Sequence, residues 1–410
     1  MSFRFLHIAD LHLDTPFSGR PELKLRLQQA QRDTLIAAVD ACLEHQVDAL
    51  LIAGDLADQE TVSYDTIAFV RAQLYRLQQA GVSVLYAHGN HDPASGALTL
   101  PPWVEIFDSR YARMVEIRGR DGHPVGAVVG AGFARAQEYT SMSDSFPRRH
   151  GSLPTVGLMH TQLIEEGGKG TANAPTSLSW LESMSYDYWA LGHIHRRQSY
   201  GRHIYYSGCL CAFGYGDPGP HGALLVEVSG QGTPSVRFLP LAKIRFEELT
   251  VRNLAAVKNE YQFFELLRSE IENLQLNVPA LLRISLQGES GCWQQLTGPG
   301  SSSFLTSLGQ RLAQASGMVS VELSAREISA PAQAETYRQE VSLVGEMLST
   351  LSAAQNDDVV LDQLLDALSP LGLAGCQHGS RQQQRDYARS LLSALEPQVL
   401  DRMRKEDNTR

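Results

Sequence analysis

Apolar and polar positions follow two different periods along the first 245 residues. Brief apolar runs at Phe3–Ala9, Ala49–Ala53 and Val82–Ala87 are too short for helices and read as strands. Between them, Glu22–Glu44 and Val62–Gln79 carry apolar residues at helical spacing. In the first of these, Leu23, Leu27, Ala30, Leu35, Ala38 and Val39 fall near one stripe. Strand, helix, strand, helix, strand predicts a layered α/β core. Later runs at Val125–Gly132, Thr155–His160, Tyr188–Leu191, His203–Tyr206 and Ala223–Val228 predict more strands.

The pattern changes near Lys243–Thr250. A helix over Ala255–Leu274, a strand over Ala280–Leu286, a helix over Phe304–Ala315 and a strand over Met318–Leu323 predict a small second α/β unit. From Pro331 onward the chain reads as polar helices, at about 331–353, 358–368 and 381–405. Gly167–Thr176 and Gly214–Gly222 read as flexible loops. Domains are expected at 1–243, 244–328 and 329–410. In the last, Tyr387, Leu391, Leu392, Leu395, Leu400 and Met403 form an apolar stripe interrupted by Pro397. That stripe fits packing on the protein's own core and docking on a partner's coiled coil equally well.

Composition narrows the class. A chain of 410 residues is expected to form two or three domains. The five cysteines (Cys42, Cys209, Cys211, Cys292, Cys376) include no CxxC, which argues against a zinc knuckle or a disulfide framework. His7, Asp10 and His12 break the N-terminal apolar run, so no signal peptide is read there. No run approaches the ~18 apolar residues of a membrane span. A soluble, cytoplasmic protein without membrane partners is the expectation.

The net charge of −10 at first argues against a nucleic-acid partner. Residues 1–245, however, carry 21 Lys+Arg against 24 Asp+Glu, and residues 246–410 carry 14 against 21. Most of the acidity therefore lies in the second part. Histidine is distributed the other way, with twelve of thirteen in residues 1–245. Either this is chance, or the front part holds a metal or acid–base site.

The neighbours of those histidines favour the site. Asp10-Leu11-His12, Gly54-Asp55-Leu56-Ala57-Asp58, Gly89-Asn90-His91-Asp92, His160 in Gly157-Leu158-Met159-His160-Thr161, and Gly192-His193-Ile194-His195 each close a predicted strand. Open α/β sheets bind ligands beyond the carboxyl ends of their strands, so five such clusters can converge. Singly, each is ordinary turn chemistry or a satisfied core histidine. Together they supply carboxylate, imidazole and carboxamide donors, a set suited to Mn²⁺, Fe²⁺ or Zn²⁺. One shared Asp between two cations is the arrangement of two-metal phosphoester hydrolysis.

This ordered set resembles the calcineurin-like metallophosphoesterase family over about residues 3–240. The resemblance implies a β-sandwich flanked by helices and two divalent metal ions, Mn²⁺ foremost. One ion would take Asp10, His12, Asp55 and His195. The other would take Asp55, Asn90, His160 and His193, with Asp55 as the bridge. Every ligand position is filled.

The wording HIADLHLDTPF, LLIAGDLAD, AHGNHD and LGHIH, and the stretch Tyr206-Ser207-Gly208 followed by Gly222–Val228, are similar to the SbcD-type DNA repair exonucleases, nearest to their YhaO-like bacterial branch. That likeness implies a capping domain, a homodimer, and C-terminal helices that hold an SbcC-like ATPase with its coiled coil. It also implies His91 as leaving-group acid or phosphate contact, with a supporting structural histidine as the alternative; Asp92 is the candidate to orient that imidazole, as carboxylates often do. Asp58 stands where some relatives have His. Cys209-Leu210-Cys211 departs from the polar or Pro residues common there.

Arg196 and Arg197 follow His195 and are candidate phosphate contacts, and Arg148–Arg149 is a second basic pair. Arginine outnumbers lysine 30 to 5, which suits phosphate binding but also follows from a GC-rich genome. Two divalent cations would turn the −3 of residues 1–245 into +1. The expected function is metal-dependent hydrolysis of phosphodiesters in DNA. A small-substrate phosphatase or nucleotide phosphodiesterase, and a non-catalytic scaffold, are the alternatives.

Overall fold

In this computed structural model, described residues are 2–329, 343–368, 379–392 and 395, apart from 59, 150, 165–172, 231 and 253. The chain divides into two compact units, 1–247 with 276–281, and 248–275 with 282–410. No helix among the described residues is long and apolar enough to cross a membrane.

The first unit opens with β1 (Phe3–Ile8), α1 (Lys24–Glu44), β2 (Ala49–Ala53), α2 (Tyr64–Gln79), β3 (Ser83–Ala87) and β4 (Glu105–Phe107). These strands run parallel. Next come β5 (Arg113–Arg118), β6 (Pro124–Ala131), β7 (Thr155–His160), the short pair β8 (Leu163–Ile164) and β9 (Thr176–Ser177), and α3 (Leu178–Ser183). Then follow β10 (Tyr188–Gly192), β11 (Gln198–Tyr200), β12 (Ile204–Tyr206), β13 (Gly222–Val228) and β14 (Ser235–Pro240). Two six-stranded sheets result, in the orders β14-β13-β1-β2-β3-β4 and β11-β12-β10-β7-β6-β5.

Side-chain alternation stacks these sheets. Phe3, Phe5, Ala49, Leu51 and Leu85 of the first sheet meet Val128, Val156, Leu158, Tyr188 and Ala190 of the second. The intervening Leu6, Ile8, Leu50 and Ile52 turn the other way and pack under α1 and α2, with Leu35, Val39, Val70 and Leu74. The far face of the second sheet, through Val129, Met159, Trp189 and Leu191, is covered by Phe133, Phe146, Leu181 and Tyr186. Both faces of β2 are therefore buried, and so is all of β1 except Arg4. This is why β2 reads as an unbroken apolar run and not as alternation, while β1 is interrupted by the exposed Arg4 and the buried His7. The protein is thus an α/β sandwich flanked by helices.

Most predicted elements recur within one or two residues, while the polar edge strands β4, β5, β11 and β14 have no apolar signature. His7 occupies the space between the sheets, wholly buried, with Nδ1 3.1 Å from the Tyr188 hydroxyl.

The second unit centres on a sheet of β15 (Arg245–Val251), β16 (Ala280–Glu289) and β17 (Ser320–Ser329). Along the chain it also holds α4 (Glu260–Asn273), α5 (Trp293–Thr297) and α6 (Ser301–Ser316). Phe263, Leu267 and Ile271 of α4 and Leu308 and Leu312 of α6 bury against Leu282, Ile284 and Leu286.

Farther on, helices span Leu343–Gln355 and Asp358–Leu368, and 381–392 is helical. Ala388 and Leu392, with Tyr387, pack on Leu361 and Leu365. Arg381, Arg385 and Arg389 reach across to Asp358, Asp362 and Asp366. This much of the predicted stripe packs on the chain's own helix. Leu395 is exposed, and Pro397, Leu400 and Met403 lie outside the described residues.

Candidate metal centre

The carboxyl ends of β1, β2, β3, β7 and β10 bring the five polar motifs together across the two sheets. Asp10 and His12 follow β1, Asp55 follows β2, Asn90 and His91 follow β3, His160 closes β7, and His193 and His195 follow β10. Asp10, His12 and His195 offer donor atoms within 4.8 Å of one another, and so do Asp10, Asp55 and His160. The His193 and His160 rings meet edge to face at 5.2 Å.

The local backbone is unusual. Asp10 (φ 52°), His12 (φ 45°), Asp55 (φ 52°) and His193 (φ 102°) all occupy positive φ. Such conformations cost free energy in non-glycine residues and concentrate at functional sites.

Glycines make the close approach feasible. A Cβ on Gly54 (φ 88°) would lie 2.4 Å from His160 Nδ1, and one on Gly89 would lie 2.1 Å from Asp55 Oδ1. The Gly of the Gly-Asn motif is therefore required by space beside Asp55, a reason that turn chemistry does not contain.

Several lone pairs face each other here. His160 Nδ1 donates to the Ala53 carbonyl at 2.9 Å, which leaves Nε2 bare. That Nε2 lies 3.0 Å from Asn90 Oδ1 and 3.3 Å from Asp55 Oδ2. His12 Nδ1 donates to Asp58 Oδ1 at 2.9 Å, and its buried Nε2 has no hydrogen-bond partner, lying 3.6 Å from Asp55 Oδ2. Acceptors gathered around a common space require a proton or a cation between them. The donor set fits divalent metal.

Without a cation, protons fill the deficit. Burial pulls His160 down, but the charges of Asp55 and Asp10 and the hydrogen bond to Asp55 override it, raising its pKa to about 9. Burial alone would raise Asp55. The adjoining His160 outweighs that and holds Asp55 well below the usual carboxylate range. Burial raises Asp10. Burial and the neighbouring His160 lower His193 to about 4, leaving it neutral as a ligand must be.

Asp92 plays a different part from the one expected of it. Its buried carboxylate accepts from the backbone N–H groups of Asp55, Leu56, Ala57 and Gly89, so it shapes the turn that carries Asp55. Burial and the nearby Asp55 raise its pKa to about 6. The partner of His91 is Asp58, whose Oδ1 lies 2.9 Å from His91 Nδ1. The half-exposed His91 is raised by that bond.

The arginines divide similarly. Arg149 pairs with Asp187 at 3.0 Å and donates to the Gly230 carbonyl, a structural use, while Arg148 is exposed. Arg197 stacks on Phe238, its guanidinium carbon 3.6 Å from the ring centroid. Arg196 and Arg197 are both exposed and border a cleft of about 180 Å³ shared with Cys209, Asp217 and His221. Asp217 carries no mark in the sequence, because only the fold brings its loop back to His195.

Residues 3–197 match the model of the calcineurin-like phosphoesterase family. They form a calcineurin-like phosphoesterase domain. The chain is 28% identical over 300 residues to an uncharacterised metallophosphoesterase, YhaO, of Bacillus subtilis, covering 70% of this chain and 72% of that one. It is 25% identical over 249 residues to SbcD, a component of the nuclease SbcCD of Escherichia coli K12, covering 50% of this chain and 60% of that protein. It is 31% identical over 125 residues to the DNA double-strand break repair protein Mre11 of Haloferax volcanii, covering 30% and 26%. As a metallophosphoesterase domain, this sandwich belongs to a family of hydrolases with dinuclear metal sites.

Proposed function

We propose that this protein is a metal-dependent phosphodiesterase acting on DNA, a nuclease subunit that works with an SbcC-like ATPase. The carrying observation is the gathering of ligand-type atoms, with His160 Nε2 3.0 Å from Asn90 Oδ1 and 3.3 Å from Asp55 Oδ2, and the partnerless His12 Nε2 3.6 Å from that same Asp55 oxygen. Asp10, His12, Asp55 and His195 would hold one ion, and Asp55, Asn90, His160 and His193 the other. Bound divalent metal would supply positive charge to the phosphoryl oxygens and acidity to water at neutral pH. The metal is proposed as Mn²⁺, with Fe²⁺ or Zn²⁺ chemically compatible.

The chain's own groups do the rest. His91, half-exposed and with its pKa raised by its bond to Asp58, donates a proton to the leaving oxygen. Asp58 holds both His91 and His12 in place. Asp92 keeps the Asp55 turn in shape. Arg196 and Arg197 extend the contact to flanking phosphates, as guanidinium groups do. DNA is preferred over small phosphoesters because SbcD of the nuclease SbcCD and the repair protein Mre11 are among the relatives. We assign residues 1–243 to the nuclease domain, 244–328 to a capping domain and 329–410 to partner binding. The protein works as a homodimer in the cytoplasm.

The test is cleavage of end-labelled duplex DNA in Mn²⁺, with Asp55→Ala as control and a small aryl phosphodiester in parallel. Cleavage of DNA that Asp55→Ala abolishes is expected. Turnover of the small ester alone would replace the nuclease with a small-substrate enzyme. No hydrolysis of either would favour a scaffold.

A further inference from the structure

The segment 207–221 is tied to the site at several points. Cys209 N–H donates to the His195 carbonyl at 2.9 Å, and Leu210 N–H donates to the Ala9 carbonyl at 3.0 Å. The segment thus bridges the ends of β1 and β10, which belong to different sheets and carry Asp10 and His195. Beyond it the chain turns, with Asp217 N–H donating to the Gly214 carbonyl.

His221 closes this loop on itself. Its Nε2 lies 2.9 Å from the Asp217 carbonyl oxygen. Its other ring nitrogen, Nδ1, lies 3.1 Å from both the Sγ and the carbonyl oxygen of Cys209. Cys209 and His221 are both buried. The Cys209-Leu210-Cys211 departure and the Gly214–Gly222 loop, which stand apart in the sequence, are joined by this contact.

The closed loop presents the Asp217 carboxylate to the His195 ring, Oδ2 to Nδ1 at 3.4 Å. A carboxylate accepts only, so Nδ1 must carry the hydrogen, and the lone pair of His195 is confined to Nε2. Carboxylates behind metal-binding imidazoles fix the tautomer and the ring orientation in this way. The Phe213 ring, on the same loop, meets the His195 and His12 rings at 5.1 and 5.0 Å, limiting how far either can turn.

We propose that Asp217 is the positioning residue for His195, presented by a loop that the Cys209–His221 contact locks. This rests on the reading of His195 as a cation ligand, but the tautomer claim stands apart from it. Asp217 does not touch substrate in this proposal and acts only through His195.

The experiment uses the full chain, ¹⁵N-labelled and metal-free, with histidine tautomers read by long-range ¹H–¹⁵N correlation. The His195 signals are identified by their loss in His195→Gln. The expected result is the Nδ1–H form in the wild type and in Asp217→Asn, whose side-chain oxygen still accepts, and loss of that form in Asp217→Ala. Mn²⁺ titration should then show affinity reduced about 10–100-fold in Asp217→Ala and partly rescued in Asp217→Asn. An unchanged tautomer in Asp217→Ala overturns the proposal, even if that variant melts lower, because the carboxylate would then be merely structural. Unchanged Mn²⁺ affinity with a changed tautomer also overturns it. A wild type with the Nδ1–H form that takes up no Mn²⁺ would uphold the Asp217–His195 relationship and defeat the metal reading.

Discussion

Asp58 Oδ1 lies 2.9 Å from His91 Nδ1, and that oxygen stands at the same distance from His12 Nδ1. One carboxylate oxygen thus orients a proposed ligand and the proposed acid together. Burial would raise Asp58, but the two histidine hydrogen bonds hold it well below the usual range, so it remains ionised.

Asp58→Asn should therefore impair the acid more than the fold. A general acid must be protonated, so activity falls as pH rises through its pKa. Asp58 raises that pKa, and removing its charge should move the alkaline limb of the pH–rate profile to lower pH. The drop in kcat is expected to be about 10²-fold. An unmoved limb in a variant that retains its metal would remove His91 from the acid role.

Metal uptake should release a proton. His160 has a pKa of about 9 without a cation, so it is protonated at pH 7.5. Cation binding needs the bare nitrogen, and about one proton should leave. Calorimetric Mn²⁺ titrations in buffers of different ionisation enthalpy count that proton. A release near zero at pH 7.5 would contradict the His160 assignment. Chelation should restore the proton and lower the melting temperature, since a ligand bound only by the folded state stabilises it.

Gly54→Ala should be costly for two reasons. Its φ of 88° is unfavourable for alanine, and the new methyl would strike the His160 ring. A loss of about 1–3 kcal/mol is expected, together with weakened Mn²⁺ binding. Denaturant titration and calorimetry check the two separately. A variant of wild-type stability and affinity would mean that this contact does not constrain the site.

His7 should make the fold acid-sensitive. Burial lowers its pKa from 6.5 to about 3, so between those values the unfolded chain binds a proton that the folded chain refuses. The stability it contributes is complete above pH 6.5 and is lost as pH falls toward 3. The slope is at most about 1.4 kcal/mol per pH unit. His7→Gln should flatten the urea-midpoint curve between pH 7.5 and 5. Equal slopes in both proteins would show that another group carries the effect.

Much of this architecture is legible without coordinates. The unbroken apolar run of β2 already announces a strand buried on both faces, and the polar ends of β1 and β2 already mark where ligands gather. The glycine before Asp55 reads as a turn, although its deeper reason is the His160 ring beside it. Asp92 is misread for a related reason. Adjacency in sequence suggests that it serves His91, yet its carboxylate points to four backbone N–H groups around Asp55 and Gly89. Asp217 is unmarked altogether.

The sequence by itself determined the order of strands and helices, the identity of the candidate ligands, and the kind of ion they suit. Local periodicity and side-chain chemistry are properties of a chain segment, so they survive without a fold. Tertiary structure decided which donor faces which. It made Asp58, 33 residues before His91, the group that holds its ring. It brought Asp217, 22 residues after His195, back to that imidazole. Hydrogen bonds act over about 3 Å, and only the packing of two sheets brings such distant residues that close.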